Sequence, residues 1–307
     1  VNRLQQLKDA GVSIWLDDLS RELLDSGEFM GLVRELAVTG ATSNPTIFAK
    51  AITGSDRYDS QLREAIERGL SDPRDIFFDL ALEDVRRAAD NLRAVHELAD
   101  RADGFVSFEC TPDLADDAPS TVAQALEVRD RVRVPNLLIK VAATDAGITA
   151  IEELTTLGVS VNVTLLFSLY RYEQALNAYW SGLERRLGLG KPVDEVTSVA
   201  SFFVSRVDAI VDPWLAADSP LRGRIAIANA EVAYARHLRS LETSRWKHLA
   251  SHGARAQRPL WASAGTKDPA YSDVRYVQEL IAPGVISTIP METLGAFADH
   301  GDVGRSL

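Results

Sequence analysis

Cysteine is nearly absent. Cys110 stands alone among 307 residues, so no intrachain disulfide can form, and a reducing, cytoplasmic setting is expected. Long apolar runs are missing as well. None reaches the ~20 residues that span a bilayer, the start carries no signal-peptide pattern, and no membrane association is expected. The first residue is Val1 rather than Met, so part of the native N-terminus is expected to be missing. Positive charge is in deficit: 33 Lys and Arg face 44 Asp and Glu, a net charge of −11. That balance argues against general affinity for nucleic acid or anionic membrane, although a local basic pocket for a phosphorylated metabolite stays compatible with it. Histidine is scarce too: His96, His237, His248, His252 and His300. Only His248 and His252 have a metal-binding spacing, and "HLASH" lacks the glutamate of the metalloprotease motif. No metal and no cofactor are expected. Low-complexity segments and short internal repeats do not occur.

What is present is an alternation. Short β-type runs fall at "SIWLDD" (13–18), "VTGATS" (38–43), "GFVSFE" (104–109), "NLLIKVAA" (136–143), "SVNVTLLF" (160–167), "SVASFFVS" (198–205), "PLWASAG" (259–265) and "GVISTI" (284–289). Amphipathic helical patterns separate them, such as the rhythm of Leu169, Tyr172, Leu176, Tyr179, Trp180 and Leu183. "DVRRAADNLRAVHELADR" and "IAIANAEVAYARHLRSLE" behave likewise. Eight strands alternating with helices predict an α/β fold with a parallel sheet. A doubly wound open sheet would often carry a glycine-rich phosphate loop after its first strand; here "WLDDLSRELL" has no glycine. The reading is a single (β/α)8 TIM barrel with additional helices, one domain over 1–307, and with its site at the C-terminal ends of the strands.

Polar residues cluster at those ends: Asp17 and Asp18; Thr42, Ser43 and Asn44; Glu109; Lys140 and Thr144; Asn162 and Thr164; Ser201 and Arg206; Ser263, Thr266 and Lys267. One of them is out of place. Lys8, Lys50, Lys191, Lys247 and Lys267 lie in polar or turn-like sequence, whereas Lys140 sits between Leu-Leu-Ile and Val-Ala-Ala. Moving an ammonium into such surroundings is costly, and burial favours the free amine. A lone desolvated lysine ringed by carboxylates and amides suits imine formation with a carbonyl substrate. Glu109 and Asp17 are candidates for moving protons. Asn44, Asn162 and Ser201 are candidates for holding hydroxyls.

"TGATSNPTIF" and "LLIKVAATDAGITAIEEL" resemble the two transaldolase signatures, and "VNVTLLFS" and "ASFFVSRVD" are similar to that family's fifth and sixth strand segments. The likeness runs in order from about residue 11 to 300. "WLDDLSR" and "PLWASAGTKDPAYSD" resemble the branch common in actinobacteria. The resemblance implies that Lys140 forms the imine with a ketose phosphate and that Asp17 handles the hydroxyl proton in carbon–carbon cleavage. Glu109 would act through a water, with Thr164 nearby. Asn44 and Asn162 would bind dihydroxyacetone hydroxyls beside Ser201, and Arg206 would hold the substrate phosphate. The best-known branch has an arginine shortly after the seventh-strand serine. "SAGTK" has none, so Lys267, with Ser263, is expected to replace it. Transaldolases usually continue past the last strand with helices that pack over the barrel mouth, and this sequence stops at Leu307. Sugar phosphates are the expected partners of a monomer or homodimer.

Plainer roles compete at several positions. Asp17, Asp18 or Ser20 could cap the helix that follows, Glu109 could bind its own loop, and Arg206 could pair with Asp208 on the surface. Two other functions also remain open: an aldolase that uses or releases free dihydroxyacetone, and a barrel that binds sugar phosphate without turnover.

Overall fold

The computed structural model describes residues 2–304 and 307. Eight strands, β1 (Ser13–Leu16), β2 (Val38–Thr42), β3 (Val106–Glu109), β4 (Leu137–Ala142), β5 (Val161–Leu166), β6 (Ser198–Phe203), β7 (Arg258–Ala262) and β8 (Ile286–Ile289), close into a barrel in sequence order. Every neighbouring pair is parallel, including β1 with β8. Seven of the eight strands lie inside the runs expected from the sequence; β7 begins one residue before its run, at Arg258. The helical stretch expected across 84–101 is divided at Leu92 into Pro73–Asn91 and Arg93–Leu98. Additional helices fill the early connections: Arg21–Asp25 and Glu28–Glu35 precede β2, and Pro45–Thr53 and Asp59–Glu67 precede the Pro73 helix.

Side-chain alternation sorts the strands into two faces. Outward residues such as Leu137, Ile139, Val141, Val161 and Val163 pack under the helices in the main core. Inward residues Trp15, Phe105, Leu138, Val199, Leu260 and Ile286 form a separate apolar cluster inside the barrel. Gly40 makes that layer possible, because a Cβ there would lie 2.5 Å from the Trp15 indole. On most strands the next inward residue is polar, as at Thr42, Ser107, Lys140, Ser201 and Thr288, whereas β7 keeps Ala262; this second layer carries the site.

Helix starts are set locally. Asn44, Thr144 and Ser168 each accept a hydrogen bond from a backbone N–H in the first turn of the helix they precede, which satisfies donors that have no intrahelical partner.

Candidate active site

Lys140 is inward on β4 and buried. Its apolar neighbours in sequence, Ile139 and Val141, face the helices. The amine therefore does not meet the greasy surroundings that the linear sequence suggests. Nζ lies 3.1 Å from Oε2 of Glu109 and donates to the Ser43 carbonyl at 3.1 Å. The contact follows from register, since Glu109 at the end of β3 stands beside Lys140, and Lys140 beside Asn162 on β5.

Asn162 is fully buried and has both ends of its amide engaged. Its Nδ2 donates to Ser107 Oγ at 3.0 Å, and its Oδ1 accepts from Ser201 Oγ at 2.6 Å. A fixed row of hydroxyl and amide groups thus crosses β3, β5 and β6 beside the amine. Thr164 is buried on β5, level with Ala142 of β4. Just beyond it the ladder slips, with Leu165 in the left-handed region at φ 62° and partly exposed.

Asp17 follows β1 directly. It does not cap the next helix; Ser20 does. Its Oδ1 accepts from Thr42 Oγ1 at 2.8 Å. Asp18 shares with Asp17 a cleft of about 440 Å³ that also holds Glu22 and Lys50. Burial lifts the Asp18 carboxyl above the usual carboxylate range, against a bond from the Leu19 backbone, and the charge of Asp17 adds to the rise. Asn44 spends its Oδ1 on the Ile47 N–H as a helix cap, which leaves its Nδ2 as the donor. Burial, with the nearby Glu109 charge, pushes the Cys110 thiol up to about 12, so Cys110 is no nucleophile at neutral pH.

At the mouth, Arg206 is exposed and lies over Phe203, with its guanidinium carbon 4.8 Å from the ring centroid. Phe203 in turn sits 5.1 Å from Phe167. Asp208 is not the partner of Arg206. It is buried, accepting from the Ala226 N–H at 2.8 Å and the Tyr276 hydroxyl at 2.9 Å. Ser263 adopts φ 55° and its Oγ is 3.0 Å from Ser205 Oγ. Lys267 stands on the exposed edge of a cleft of about 330 Å³ that it shares with Ser205, Asp208, Asp212 and Arg222. The structure thus gathers Lys140, Glu109, Asn162, Thr164 and Ser201 on adjacent strands and ties Asp17 to β2. Arg206 and Lys267 are exposed, and Ser263 is half-buried.

Two side chains in the polar layer went without a role in the sequence reading: Ser107, which holds Asn162, and Thr288, which is 2.7 Å from Thr42. Ser107 stands two positions before Glu109 and hence on the same strand face, a signal that could have found it. Among the described residues no group of three or more His, Cys, Asp or Glu could hold a metal. His248 and His252 meet edge to face on an exposed helix end. No helix among the described residues is long and apolar enough to cross a membrane.

The sequence profile described as Transaldolase/Fructose-6-phosphate aldolase matches residues 14–306. A transaldolase of Saccharopolyspora erythraea is 49% identical over 305 residues, covering 98% of this chain and 82% of the relative. One from Thermobifida fusca is 49% identical over 98% of this chain and 83% of its own length. A protein named transaldolase 2 of Nostoc is 41% identical over 321 residues, covering 100% of this chain and 84% of the relative.

Proposed function

The chain belongs to the transaldolase family, and on that premise we propose how it moves a dihydroxyacetone unit between sugar phosphates in the non-oxidative pentose phosphate pathway. The donor is a ketose phosphate, sedoheptulose 7-phosphate or fructose 6-phosphate, and the acceptor is an aldose phosphate. The observation that carries the reading is the 3.1 Å contact between Lys140 Nζ and Glu109 Oε2.

In this reading Glu109 takes the ammonium proton, and the freed amine adds to the C2 carbonyl of the ketose. The carbinolamine loses water as Glu109 returns a proton to the departing oxygen through an intervening water held by Thr164. The resulting iminium is an electron sink. Asp17 removes the proton from the C4 hydroxyl, the C3–C4 electron pair moves into an enamine, and the aldose phosphate leaves. The acceptor aldehyde then runs the same steps in reverse, and hydrolysis frees the amine. Asn44 and Asn162 hold the dihydroxyacetone hydroxyls, with Ser201 fixing Asn162. Arg206 meets the substrate phosphate, assisted by Ser263 and Lys267.

Borohydride reduction in the presence of fructose 6-phosphate tests the central step. It is expected to add the dihydroxyacetone carbon skeleton to Lys140 irreversibly, and Lys140→Ala should lose both the adduct and transfer while staying folded. Reversible sugar-phosphate binding with no adduct would instead point to a barrel without turnover. Product analysis with and without an acceptor distinguishes transfer from release of free dihydroxyacetone.

A further inference from the structure

β8 supplied no candidate to the sequence reading, yet it touches the site twice through Asp17. The Asp17 backbone N–H donates to the Ile289 carbonyl at 2.8 Å. On the side-chain side, Thr42 Oγ1 lies 2.8 Å from Asp17 Oδ1 and 2.7 Å from Thr288 Oγ1. Thr42 and Thr288 are both buried, so water does not readily take the place of either partner.

The protons in this row can be assigned. An ionised carboxylate only accepts, and a hydroxyl carries a single hydrogen. Thr42 spends that hydrogen on Asp17. Its short contact with Thr288 therefore requires Thr288 to be the donor. The row runs Thr288 to Thr42 to Asp17, each bond polarising the next toward the carboxylate. It engages Oδ1 of Asp17, while Oδ2 has no protein partner among the described residues.

We propose that Thr288 is a positioning residue for the reaction: by donating to Thr42 it holds that hydroxyl pointed at Asp17, and so keeps the second carboxylate oxygen turned toward the substrate hydroxyl. Without the Thr288 hydroxyl, Thr42 can still donate to Asp17 but loses the donor that orients it, and the carboxylate gains rotational freedom. Positioning of a proton acceptor acts on the cleavage step. Imine formation at Lys140, on the opposite side of the polar layer, is untouched. The inference rests on the assignment of Asp17 to the C4 hydroxyl proton made above.

Thr288→Val keeps the shape and removes the hydroxyl; Thr288→Ser keeps the hydroxyl and removes a methyl. The valine variant is expected to lose about 2- to 10-fold in kcat, the effect of one hydrogen bond, with KM little changed. It should still trap fructose 6-phosphate on Lys140 under borohydride to the wild-type extent. Serine should restore kcat. Wild-type kcat in Thr288→Val would overturn the role, as would a serine variant as slow as the valine one. Weak trapping in Thr288→Val would also overturn it, by showing general damage to the site. Failure of the wild-type protein to trap would sink the imine reading itself and this inference with it. A wild type that traps beside an unimpaired Thr288→Val sinks only the inference.

Discussion

Lys140 and His237 are both buried, in unlike surroundings. At Lys140 a carboxylate and a carbonyl lie within 3.1 Å, so the amine has polar partners. At His237 burial dominates, the nearby Arg258 charge adds to it, and the imidazole is held down to about 4; its Nδ1 has no hydrogen-bond partner among the described residues. The sign follows from linkage. The unfolded chain takes up a proton at His237 near pH 6.5 and the folded chain does not until about pH 4, so the associated stability is present above pH 6.5 and is lost as pH falls toward 4. Each pH unit in that window costs up to about 1.4 kcal/mol. Urea unfolding at pH 7.0 and 5.0 is expected to show that loss in the native protein and a smaller one in His237→Leu. Equal losses in both would contradict the assignment.

Among the elements, β1 and β2 depend on each other through a missing side chain. Trp15 faces Gly40 across the ladder, and its indole occupies the space where any other residue at 40 would place Cβ, 2.5 Å away. Gly40→Ala must push the indole into Phe105, which packs at 6.3 Å between centroids. Overpacking of this kind costs about 1–3 kcal/mol, readable as a lower urea midpoint with an unchanged slope. Because Asp17 and Thr42 stand two residues beyond this pair, the same variant is expected to lose transfer activity as well. The strand runs were legible in the sequence because short, mostly apolar β-type stretches alternate with helical periodicity. The role of Gly40 was not, since it depends on which residue of the neighbouring strand stands opposite.

Across the whole molecule the two ends of the barrel have different work. The N-terminal end is sealed by Asp103, which accepts from Ser13 Oγ at 2.5 Å and Trp15 Nε1 at 2.8 Å. Arg258 reaches over it to Ser13 Oγ and to the carbonyls of Ala102 and Gly284. The C-terminal end carries the amine, the carboxylates and the exposed Arg206. Asp103→Ala is therefore expected to lower stability by about 2–4 kcal/mol, the loss of two buried acceptors, while kcat at 25 °C stays within about twofold of native. A large fall in kcat with unchanged stability would reverse this division of roles.

Much of the fold and part of the site can be read along the chain. The alternation of strands and helices, the lysine out of place at 140, and polar residues collected at strand ends are all properties of local order, which sequence carries directly. The individual contacts are not: the direct approach of Glu109 to Lys140, the hold of Ser107 on Asn162, and the approach of Thr288 to Thr42. They arise only when eight strands close with a fixed stagger, because closure sets which inward side chains share a level and brings residues 42 and 288 within 2.7 Å. Period and composition chose a barrel with an inward lysine; register and closure decided that the lysine would face a carboxylate rather than apolar neighbours.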